Sequence, residues 1–406
     1  MRILVQKFGG TSLSTAHARN EVIQHIKREL QQGYHVVVVV SAMGRKGEPY
    51  ATDTLLDWID RNGGALPKRE LDMLLGCGET ISAATLCSLL EESGVPASVL
   101  SGGQAGIVTD DRYGDASIAE IKPTRVLDLL AQRKVVIVTG FQGVTPQGDV
   151  TTLGRGGSDT SATALGAALR AEIVDIYTDV DGILTADPKV EPEARPIARV
   201  SFAEICNMAS NGAKVVHPRA VEIAMQANLP VRVRSTFSSG EGTLVVASDA
   251  LYPAPGIVND RFVTGIAHVT GITQIRVKGE AGRYDMPVDV FKAMAKRQIS
   301  VDFINVNPAS VAYTVFDREA ERAVRLLREM GYEPQALPGC AKISVIGGGM
   351  NGVPGIMARI VEALTEQDIA ILQSADSNAT IWVLVKGADL IAAVRTLHAA
   401  FELHRG

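Results

Sequence analysis

The sequence predicts an α/β protein, with a largely parallel sheet between helices, followed by a smaller α+β region. Short runs of mostly β-branched residues at 34–40 and 135–139 have the length and composition of buried parallel strands. Glycine-rich turns follow such strands and precede helical segments, which is the order of an α/β sheet with its loops at the strand ends. The last third of the chain repeats a βαββαβ-like pattern.

Length and composition exclude several classes of protein. A chain of 406 residues, 46% hydrophobic and 21% charged, predicts two or three globular domains. The net charge of −5 and the absence of Lys and Arg clusters argue against a nucleic-acid-binding surface. No apolar run is long enough to span a bilayer, and the start of the chain lacks the features of a signal peptide. Four widely spaced cysteines without a CxxC pair argue against a zinc site or a disulfide framework, and favour the cytoplasm.

The first strand, residues 3–8, ends in a lysine beside a glycine turn. Lys7 precedes Gly9 and Gly10, two hydroxyl residues follow, and residues 16–31 have helical periodicity. A P-loop uses the same groups, although its lysine follows its glycines. The arrangement therefore predicts phosphate binding.

Residues 151–163 form the most informative stretch. Three glycines in four residues keep the turn free of Cβ atoms, so that backbone N–H groups can approach a ligand. Ser158 and Asp159 stand where an N-cap is expected for a helix over 162–171. Arg155 suits a carboxylate or phosphate, and Asp159 could hold an ammonium group. The stretch therefore predicts an anion site at a helix N-terminus.

Three further segments carry polar residues whose function the pattern alone leaves open. Residues 76–79 are predicted to be a loop at the head of a helix over 80–92, where Glu79 would cap the first turn. The aspartates of 179–187 lack the spacing and closing Glu of a calcium loop. Lys214 is predicted to open a helix, and could be functional or simply solvated.

The C-terminal region contains two tandem units of roughly seventy residues each. Composition shifts at 238–242 and again at 253–256 indicate a linker before them. Residues 347–352 match G-x-G-x-x-G, and Asp376 lies at the distance of a ribose-binding acid. Only 30 residues follow Asp376, which are too few to complete a dinucleotide-binding domain, so that interpretation is rejected.

Seven motifs, in order, resemble those of the aspartate kinase family of the amino-acid kinase superfamily. They are Lys-Phe-Gly-Gly-Thr-Ser (7–12), Ser-Ala-Met-Gly (41–44), Gly-Glu (78–79), Thr-Leu-Gly-Arg-Gly-Gly-Ser-Asp (152–159), Tyr-Thr-Asp-Val-Asp-Gly (177–182), Thr-Ala-Asp-Pro (185–188) and Gly-Ala-Lys-Val-Val-His-Pro (212–218). The resemblance implies an amino-acid kinase fold over 1–245, a linker at 246–262, and two ferredoxin-like ACT domains at 263–338 and 339–406.

The resemblance also implies a reaction: ATP-dependent phosphorylation of the β-carboxylate of L-aspartate, the first step of the aspartate-family biosynthetic pathway. Lys7 and Asp159 would be the catalytic pair. The implied substrate-binding residues are Thr52, Glu79, Arg125, Arg155 and Ser158. The implied nucleotide-binding residues are Lys7, Gly9, Gly10, Ser41, Thr178, Asp179, Leu184, Asp187 and Lys214.

The residue types present agree with that chemistry. The β-carboxylate is already an anion at neutral pH, so that no general base is needed and catalysis reduces to positioning and charge stabilisation. Mg²⁺ would be held largely by ATP oxygens and water, without a dedicated protein ligand cluster. Leu184, Ala186 and Lys189 depart from the more usual family pattern, which affects adenine packing rather than the reaction.

For the C-terminal half, the resemblance implies feedback regulation by an amino acid. Lysine, threonine and meso-diaminopimelate all stay open as effectors, and the chain would form a homo-oligomer through its ACT domains, with a shorter regulatory chain as a further possible partner. By analogy with other ACT domains, the effector-binding candidates are Met286, Asp289, Asn305, Met350, Asn351 and Gln373.

Two alternative functions can be compared with this one. Another amino-acid kinase is disfavoured by the tandem repeats and the Gly-Arg-Gly-Gly-Ser-Asp motif. A catalytically silent amino-acid sensor is disfavoured by intact Lys7, Arg155 and Asp159. The length of the chain is not sufficient for an additional homoserine dehydrogenase unit.

Overall fold

The computed structural model describes residues 1–61, 63, 66–213, 215–251, 262–279, 285–307, 309–350 and 353–405. Contacts divide the chain into two compact units. Residues 184–195 and 210–213, which precede the predicted boundary at 245, belong by contacts to the second unit. Most of the predicted linker lies outside the described residues. The units are Met1–Ile183, Pro196–Ala209 and Lys214–Val258 for the first, and Leu184–Arg195, Ser210–Ala213 and Asn259–Gly406 for the second.

The first unit contains the predicted α/β sheet. Its described strands are β1 (Ile3–Phe8), β2 (His35–Val40), β3 (Ala97–Leu100), β4 (Ile107–Thr109), β5 (Ile118–Ile121), β6 (Val135–Thr139), β7 (Gln142–Val144), β8 (Val150–Thr152), β9 (Ile173–Thr178), β10 (Arg199–Ser201), β11 (Val231–Ser235) and β12 (Thr243–Val246). Its described helices are α1 (Gly10–Leu13), α2 (Ala16–Gln31), α3 (Thr52–Arg61), α4 (Lys68–Glu92), α5 (Thr124–Ala131), α6 (Gly157–Ala168), α7 (Phe202–Ser210), α8 (Pro218–Gln226) and the 3-10 helix Ser248–Ala250.

The main sheet of this unit has the order β10-β12-β11-β9-β1-β2-β6-β3 among the described strands. Apart from the antiparallel pair of β11 and β12, its neighbours run parallel, so that the α/β prediction is confirmed. The β-branched strands β2 and β6 are buried throughout their central residues, because helices cover the sheet. A smaller sheet, β5-β4-β7-β8, leads into the turn that precedes α6.

The predicted loop at residues 76–79 is wrong, because the helix α4 runs without interruption through it. Two glycines inside a helix would normally cost about 1 kcal/mol each. Here they allow close packing, since a Cβ on Gly78 would lie 2.7 Å from the Cβ of Ala42, and one on Gly76 would lie 3.1 Å from Nε2 of Gln142. Glu79 is therefore a mid-helix residue and not a cap.

The predicted N-cap of α6 is also wrong. Gly156 occupies that position with φ +69, and none of the described side chains caps the helix. A Cβ on Gly156 would lie 2.1 Å from Cγ of His217, so that the ring of His217 packs directly against the turn. Ser158 and Asp159 therefore lie inside the first turn, where their side chains are free for other contacts.

Helix α4 is long and apolar enough to cross a membrane by length and composition alone. Nearly half of its most apolar stretch is buried in the first unit, where it packs on β3, β6 and β8. It also carries buried Asp72 and Glu79, which accept hydrogen bonds from backbone N–H groups of this unit. These contacts are those of an interior helix of an α/β domain.

The second unit contains the two predicted repeats. Its described strands are β13 (Gly265–Lys278), β14 (Asp302–Asn307), β15 (Ser310–Phe316), β16 (Gln335–Ile346), β17 (Gln373–Asp376) and β18 (Thr380–Lys386). Its described helices are α9 (Met286–Lys296), α10 (Asp317–Glu329), α11 (Ile356–Thr365), α12 (Leu390–Ala400) and the 3-10 helix Gly387–Asp389. The strands form one sheet with the order β14-β15-β13-β16-β18-β17.

The two repeats share their long central strands. The first half of β13, including Ile266, packs in the core of the second repeat, whereas Ile275 and Val277 from its other half pack in the core of the first. The pairing of β13 with β16 changes register between residues 269 and 274, where one half gives way to the other. The two repeats therefore share one continuous sheet and do not form two separate sheets.

An ion pair between buried Asp175 and partly buried Arg232 fixes β11 against β9 in the first unit. Both guanidinium edge nitrogens of Arg232 lie 2.8 Å from the carboxylate oxygens of Asp175, and Asp175 is fully buried. The two residues are directly opposite each other in the parallel register. Because a lone buried carboxylate or guanidinium costs much more than the pair, this contact holds the strands in one register.

We expect Asp175→Asn to lower the free energy of unfolding of this protein by about 3 kcal/mol, since Arg232 loses a buried counter-ion. Urea unfolding followed by circular dichroism measures the change. The matched control is Glu172→Gln, whose ion pair with Arg2 is exposed and should leave the midpoint nearly unchanged. Equal midpoints for both variants would contradict this role for Asp175.

Candidate active site

The predicted site residues follow four adjacent strands of the first unit. In the order β9-β1-β2-β6, parallel strands bring their carboxyl ends to one edge of the sheet. Lys7 lies near the end of β1, Ser41 follows β2, and Thr178 ends β9. Beyond β6, a Cβ on Gly140 would lie 2.9 Å from Oγ of Ser158, which brings the start of α6 to the same edge. Open α/β sheets bind ligands at this edge.

Lys7 and Asp159 form an ion pair at this edge. The Nζ of Lys7 lies 2.8 Å from Oδ1 of Asp159, and the two side chains are only 13% and 12% exposed. The contact is an ion pair without ideal hydrogen-bond angles, so that Oδ1 has no hydrogen-bond partner among the described residues. Asp159 lies in the first turn of α6, where the helix dipole favours a carboxylate.

Glycine allows the turns after β1 and β2 to pack closely against each other. A Cβ on Gly10 would lie 2.6 Å from the carbonyl oxygen of Ala42, so that only glycine fits there without movement. The N–H of Gly44 donates to the carbonyl of Gly10 at 3.0 Å. Lys7 folds back over the first turn, since its Nζ lies 3.5 Å from the position of a Cβ on Gly9. The result is a narrow backbone cradle beside an ammonium group, which is suited to phosphate.

Glu79 points from α4 to the same cradle. Its Oε1 accepts from the N–H of Ala42 at 3.0 Å, whereas its buried Oε2 has no partner among the described residues. The side chain is nearly inaccessible, and burial raises the pKa of Glu79 to about 7, opposed by the hydrogen bond from Ala42. A buried carboxylate with one free oxygen is prepared to accept a cationic ligand group.

The glycine turn between β8 and α6 is held on several sides, and it presents Arg155 to solvent. Gly154 and Gly156 both have positive φ, and Leu153 donates its N–H to the carbonyl of Phe141 at 2.8 Å. Arg155 is exposed and forms no ion pair with any other described residue. A guanidinium without a counter-ion at the end of a rigid turn can bind a carboxylate.

An ion pair between Arg45 and Asp179 connects the loops after β2 and β9, and sequence reasoning did not identify it. The Nη2 of Arg45 lies 2.7 Å from Oδ2 of Asp179, and both side chains are exposed. Thr178 also donates to Oδ1 of Asp179 at 3.3 Å. The position of Arg45 directly after the Ser-Ala-Met-Gly motif was the available signal.

Not every predicted site residue belongs to this cluster. Thr52 begins α3 and is half-buried, and Arg125 is exposed at the start of α5; neither side chain forms a hydrogen bond or ion pair with the cluster in the described part of the chain. Leu184 and Asp187 belong to the second unit, where Oδ1 of Asp187 accepts from the N–H of Lys189 at 2.9 Å. Lys214 lies outside the described residues.

The second unit has its own cavity, of about 460 Å³, between the loop before α11 and strand β17. Gly355, with φ +96, is the N-cap of α11, and no side chain of the described residues caps the N–H groups of its first turn. Ser374, Asp376 and Ser377 line the opposite wall. Free N–H groups facing a carboxylate and hydroxyls make a site of mixed charge, suited to a zwitterion.

The predicted effector-binding residues are distributed over the second unit. Met350 lines this cavity. Gln373 is buried and accepts from Nε2 of Gln274 at 2.8 Å, while its own Nε2 donates to the carbonyl of Phe303. Met286 packs in the core of the first repeat. The remaining predictions are Asp289 and Asn305, which are exposed, and Asn351, which lies outside the described residues.

Comparisons with known proteins agree with the geometry of both units. The model of the amino acid kinase family matches residues 2–235, and a model of the ACT domain matches residues 335–399. Aspartokinase 1 of Bacillus subtilis is 52% identical over 405 residues, which cover 100% of both chains.

Two solved structures of E. coli aspartokinase III have the same fold. One is a complex with aspartate and ADP, 28% identical with a TM-score of 0.77, and covers 98% of this chain and 99% of that one. The other is a complex with lysine and aspartate, 27% identical with a TM-score of 0.77 and the same coverage. With a relative identical at half its positions over the full length, the chain belongs to the aspartokinases, within the amino acid kinase family.

Proposed function

We propose that the strand-end cluster of the first unit transfers the γ-phosphoryl group of ATP to the β-carboxylate of L-aspartate, giving 4-phospho-L-aspartate. The ion pair of Lys7 and Asp159 beside the cradle of Gly9 and Gly10 is the observation that carries this proposal. It provides a cation and backbone N–H groups where negative charge develops during transfer. Release of ADP that depends on L-aspartate is the direct assay.

Lys7 stabilises the transferring phosphoryl group, and Asp159 holds Lys7 in place. The ammonium group is largely shielded from water, which strengthens its interaction with phosphoryl oxygens. Because Oδ1 of Asp159 is already in contact with Lys7, a substrate ammonium group at this position would share the carboxylate with Lys7. The acceptor carboxylate is already ionised, and therefore neither residue needs to act as a base.

Glu79 and Arg155 orient the amino acid. Oε2 of Glu79 accepts from the α-ammonium group, and the guanidinium of Arg155 binds the α-carboxylate in a bidentate manner. With both α groups fixed, the side-chain carboxylate is directed to the phosphoryl group. Ser158, packed against Gly140, lies beside this path. The substrate-binding roles of Thr52 and Arg125 are proposed from the resemblance alone.

The nucleotide occupies the cradle and the loop after β9. Ser41, Thr178 and Asp179 contact it at this edge, and binding near Asp179 competes with its ion pair to Arg45. Leu184, Asp187 and Lys214 complete the proposed nucleotide-binding set on the basis of the resemblance.

Mg²⁺ is the proposed metal, bound to ATP. Among the described residues, no group of three or more His, Cys, Asp or Glu side chains is arranged to hold a metal ion. Single carboxylates such as Asp179 fit a cation whose coordination is otherwise completed by phosphate oxygens and water. The ion would neutralise phosphate charge, while Lys7 provides the protein's own cation.

The cavity of the second unit is the proposed effector site. Its free helix N–H groups would bind an α-carboxylate, and Asp376 an ammonium group. Lysine, threonine and meso-diaminopimelate all satisfy this chemistry. Binding would bias the enzyme between active and inhibited states, in a cytoplasmic homo-oligomer formed through the ACT domains or together with a shorter regulatory chain.

We expect Lys7→Met to lower kcat by about a thousandfold, because a donor to the transition-state charge is lost. Steady-state ADP release with L-aspartate and Mg-ATP measures the loss, and the far-ultraviolet circular dichroism should match that of the wild type. Lys122→Met, which removes an exposed lysine paired with Glu120, is the control and should retain full activity. A Lys7→Met enzyme with near wild-type kcat would exclude the proposed site.

We expect kcat/KM for L-aspartate to rise about tenfold per pH unit below pH 7 and to level off above it. The pKa of Glu79 is raised to about 7 by burial, and only its ionised form accepts the ammonium group. In Glu79→Gln, kcat/KM for L-aspartate at high pH should be lower than in the wild type, and it should no longer rise between pH 6 and 7. Both values are measured at saturating Mg-ATP.

The raised pKa of Glu79 makes the folded protein less stable as the pH rises, whereas the same rise in pH makes the enzyme more active. A raised carboxyl pKa contributes stability below pH 4.5 that is lost as the pH rises through 7, because the native state must then hold a buried charge. Glu79→Gln should therefore have a higher Tm than the ligand-free wild type at pH 8. If kcat/KM for L-aspartate still rises with pH below pH 7 in Glu79→Gln, another group is responsible for this pH dependence.

We expect Asp376→Asn to raise the concentration of effector needed for half-inhibition at least tenfold, with kcat unchanged, because an ammonium group loses its counter-ion. Inhibition by lysine, threonine and meso-diaminopimelate is titrated in turn. Asp368→Asn is the matched control, since Asp368 is exposed just after α11 with φ +54, a conformation that Asn adopts readily. Unaltered inhibition of Asp376→Asn by the active effector would exclude this cavity.

A further inference from the structure

Asp72 is the most fully hydrogen-bonded buried carboxylate near the proposed site. It is only 1% exposed. Its Oδ1 accepts from Oγ1 of Thr152 at 2.8 Å, and its Oδ2 accepts from the N–H groups of Thr152 at 2.8 Å and of Gly114 at 2.9 Å. Such charge-assisted hydrogen bonds are about twice as strong as neutral ones, so this contact fixes three chain segments together.

Asp72 and Glu79 lie on the same face of α4. They are seven residues apart, which corresponds to two helical turns and about 10 Å along the axis. Both are buried, and each accepts a backbone hydrogen bond beside a turn of the proposed site: Asp72 from the last residue of β8, and Glu79 from the turn after β2. The rigid helix therefore sets the spacing between these two turns.

Thr152 is the last residue of β8, and Arg155 follows it three residues later in the glycine turn. Between them the chain is held again, because Nη1 of Arg219 donates to the carbonyl of Leu153 at 3.0 Å. Nη2 of Arg219 also donates to the carbonyl of Ala116 at 2.9 Å, next to the loop that Asp72 holds at Gly114. The start of the turn is thus fixed from two helices, α4 and α8.

We propose that Asp72 is a positioning residue for substrate recognition: it fixes Arg155 relative to Glu79, and so sets the spacing between the groups that bind the α-carboxylate and the α-ammonium of the amino acid. The inference rests on the proposed roles of Glu79 and Arg155. Asp72 itself does not touch the substrate. The nucleotide cradle is formed by the turns after β1 and β2, which make no hydrogen bond to Asp72 among the described residues.

The test is Asp72→Asn, which keeps the shape but offers only one accepting oxygen to three donors. We expect KM for L-aspartate to rise about tenfold or more, as for the loss of a charge-assisted hydrogen bond, with kcat and KM for Mg-ATP within about twofold. Amide hydrogen exchange of the 150–157 segment should accelerate. Asp149→Asn removes a carboxylate that contacts the same helix through exposed Arg69, and should change none of these constants.

A second variant covers the case in which Asp72→Asn does not fold. Thr152→Val removes only the hydroxyl donor, and should raise KM for L-aspartate by a few-fold. In the double variant the two effects should be less than additive, because both act through one contact. Thr151→Val, which loses the bond between Thr151 and Thr109, is its control.

Two results overturn the inference. One is a lower Tm of Asp72→Asn with an unchanged KM for L-aspartate, and the other is a parallel loss of kcat and Mg-ATP binding. Arg155→Ala and Glu79→Gln are measured alongside. If neither raises KM for L-aspartate, the substrate-binding roles fail and the inference fails with them. If both raise it and Asp72→Asn does not, the inference alone fails.

Discussion

A buried carboxylate with one unused oxygen is the constraint on which the rest of the proposed site depends. Glu79 is nearly inaccessible, and among the described residues the backbone N–H of Ala42 satisfies only one of its oxygens. Burying an ionised group without full compensation is costly, so the folded protein holds this side chain with a raised pKa. A substrate ammonium group would provide the missing partner. Because burial of the charged carboxylate is unfavourable in the free enzyme, the site favours ligands with a cationic group.

Glycine makes that burial possible. Gly78 lets α4 approach Ala42 more closely than any other residue would, and Gly10 lets the turn after β1 approach the same residue from the other side. Helix and cradle therefore meet at one short segment after β2. Two further pairs of charges at this edge are formed within the protein, Lys7 with Asp159 and Arg45 with Asp179. Ligands can replace or share these pairs without exposing a lone buried charge.

Local patterns were sufficient for the sheet of the first unit and for placing Lys7 and Arg155 beside glycine turns at its strand ends. The helix over 16–31 and the strand over 135–139 are confirmed residue for residue, because periodicity and β-branching report burial directly. The loop predicted at 76–79 was wrong, since the glycines there serve tertiary packing, which no local propensity reveals. The role of Asp72 and the ion pair of Arg45 depend on contacts between residues far apart in sequence. The sharing of β13 between the two ACT cores was inaccessible for the same reason.

The ionisation of Glu79 should change when L-aspartate binds, if this carboxylate accepts the substrate ammonium group. Isotope-edited infrared or NMR spectroscopy would follow its carboxyl group as a function of pH, with and without saturating L-aspartate. We expect the pKa of Glu79 to lie near 7 in the free enzyme and well below that value in the complex, because the bound ammonium group stabilises the charged form. An identical titration in both states would show that the substrate ammonium group lies elsewhere, and would contradict the account.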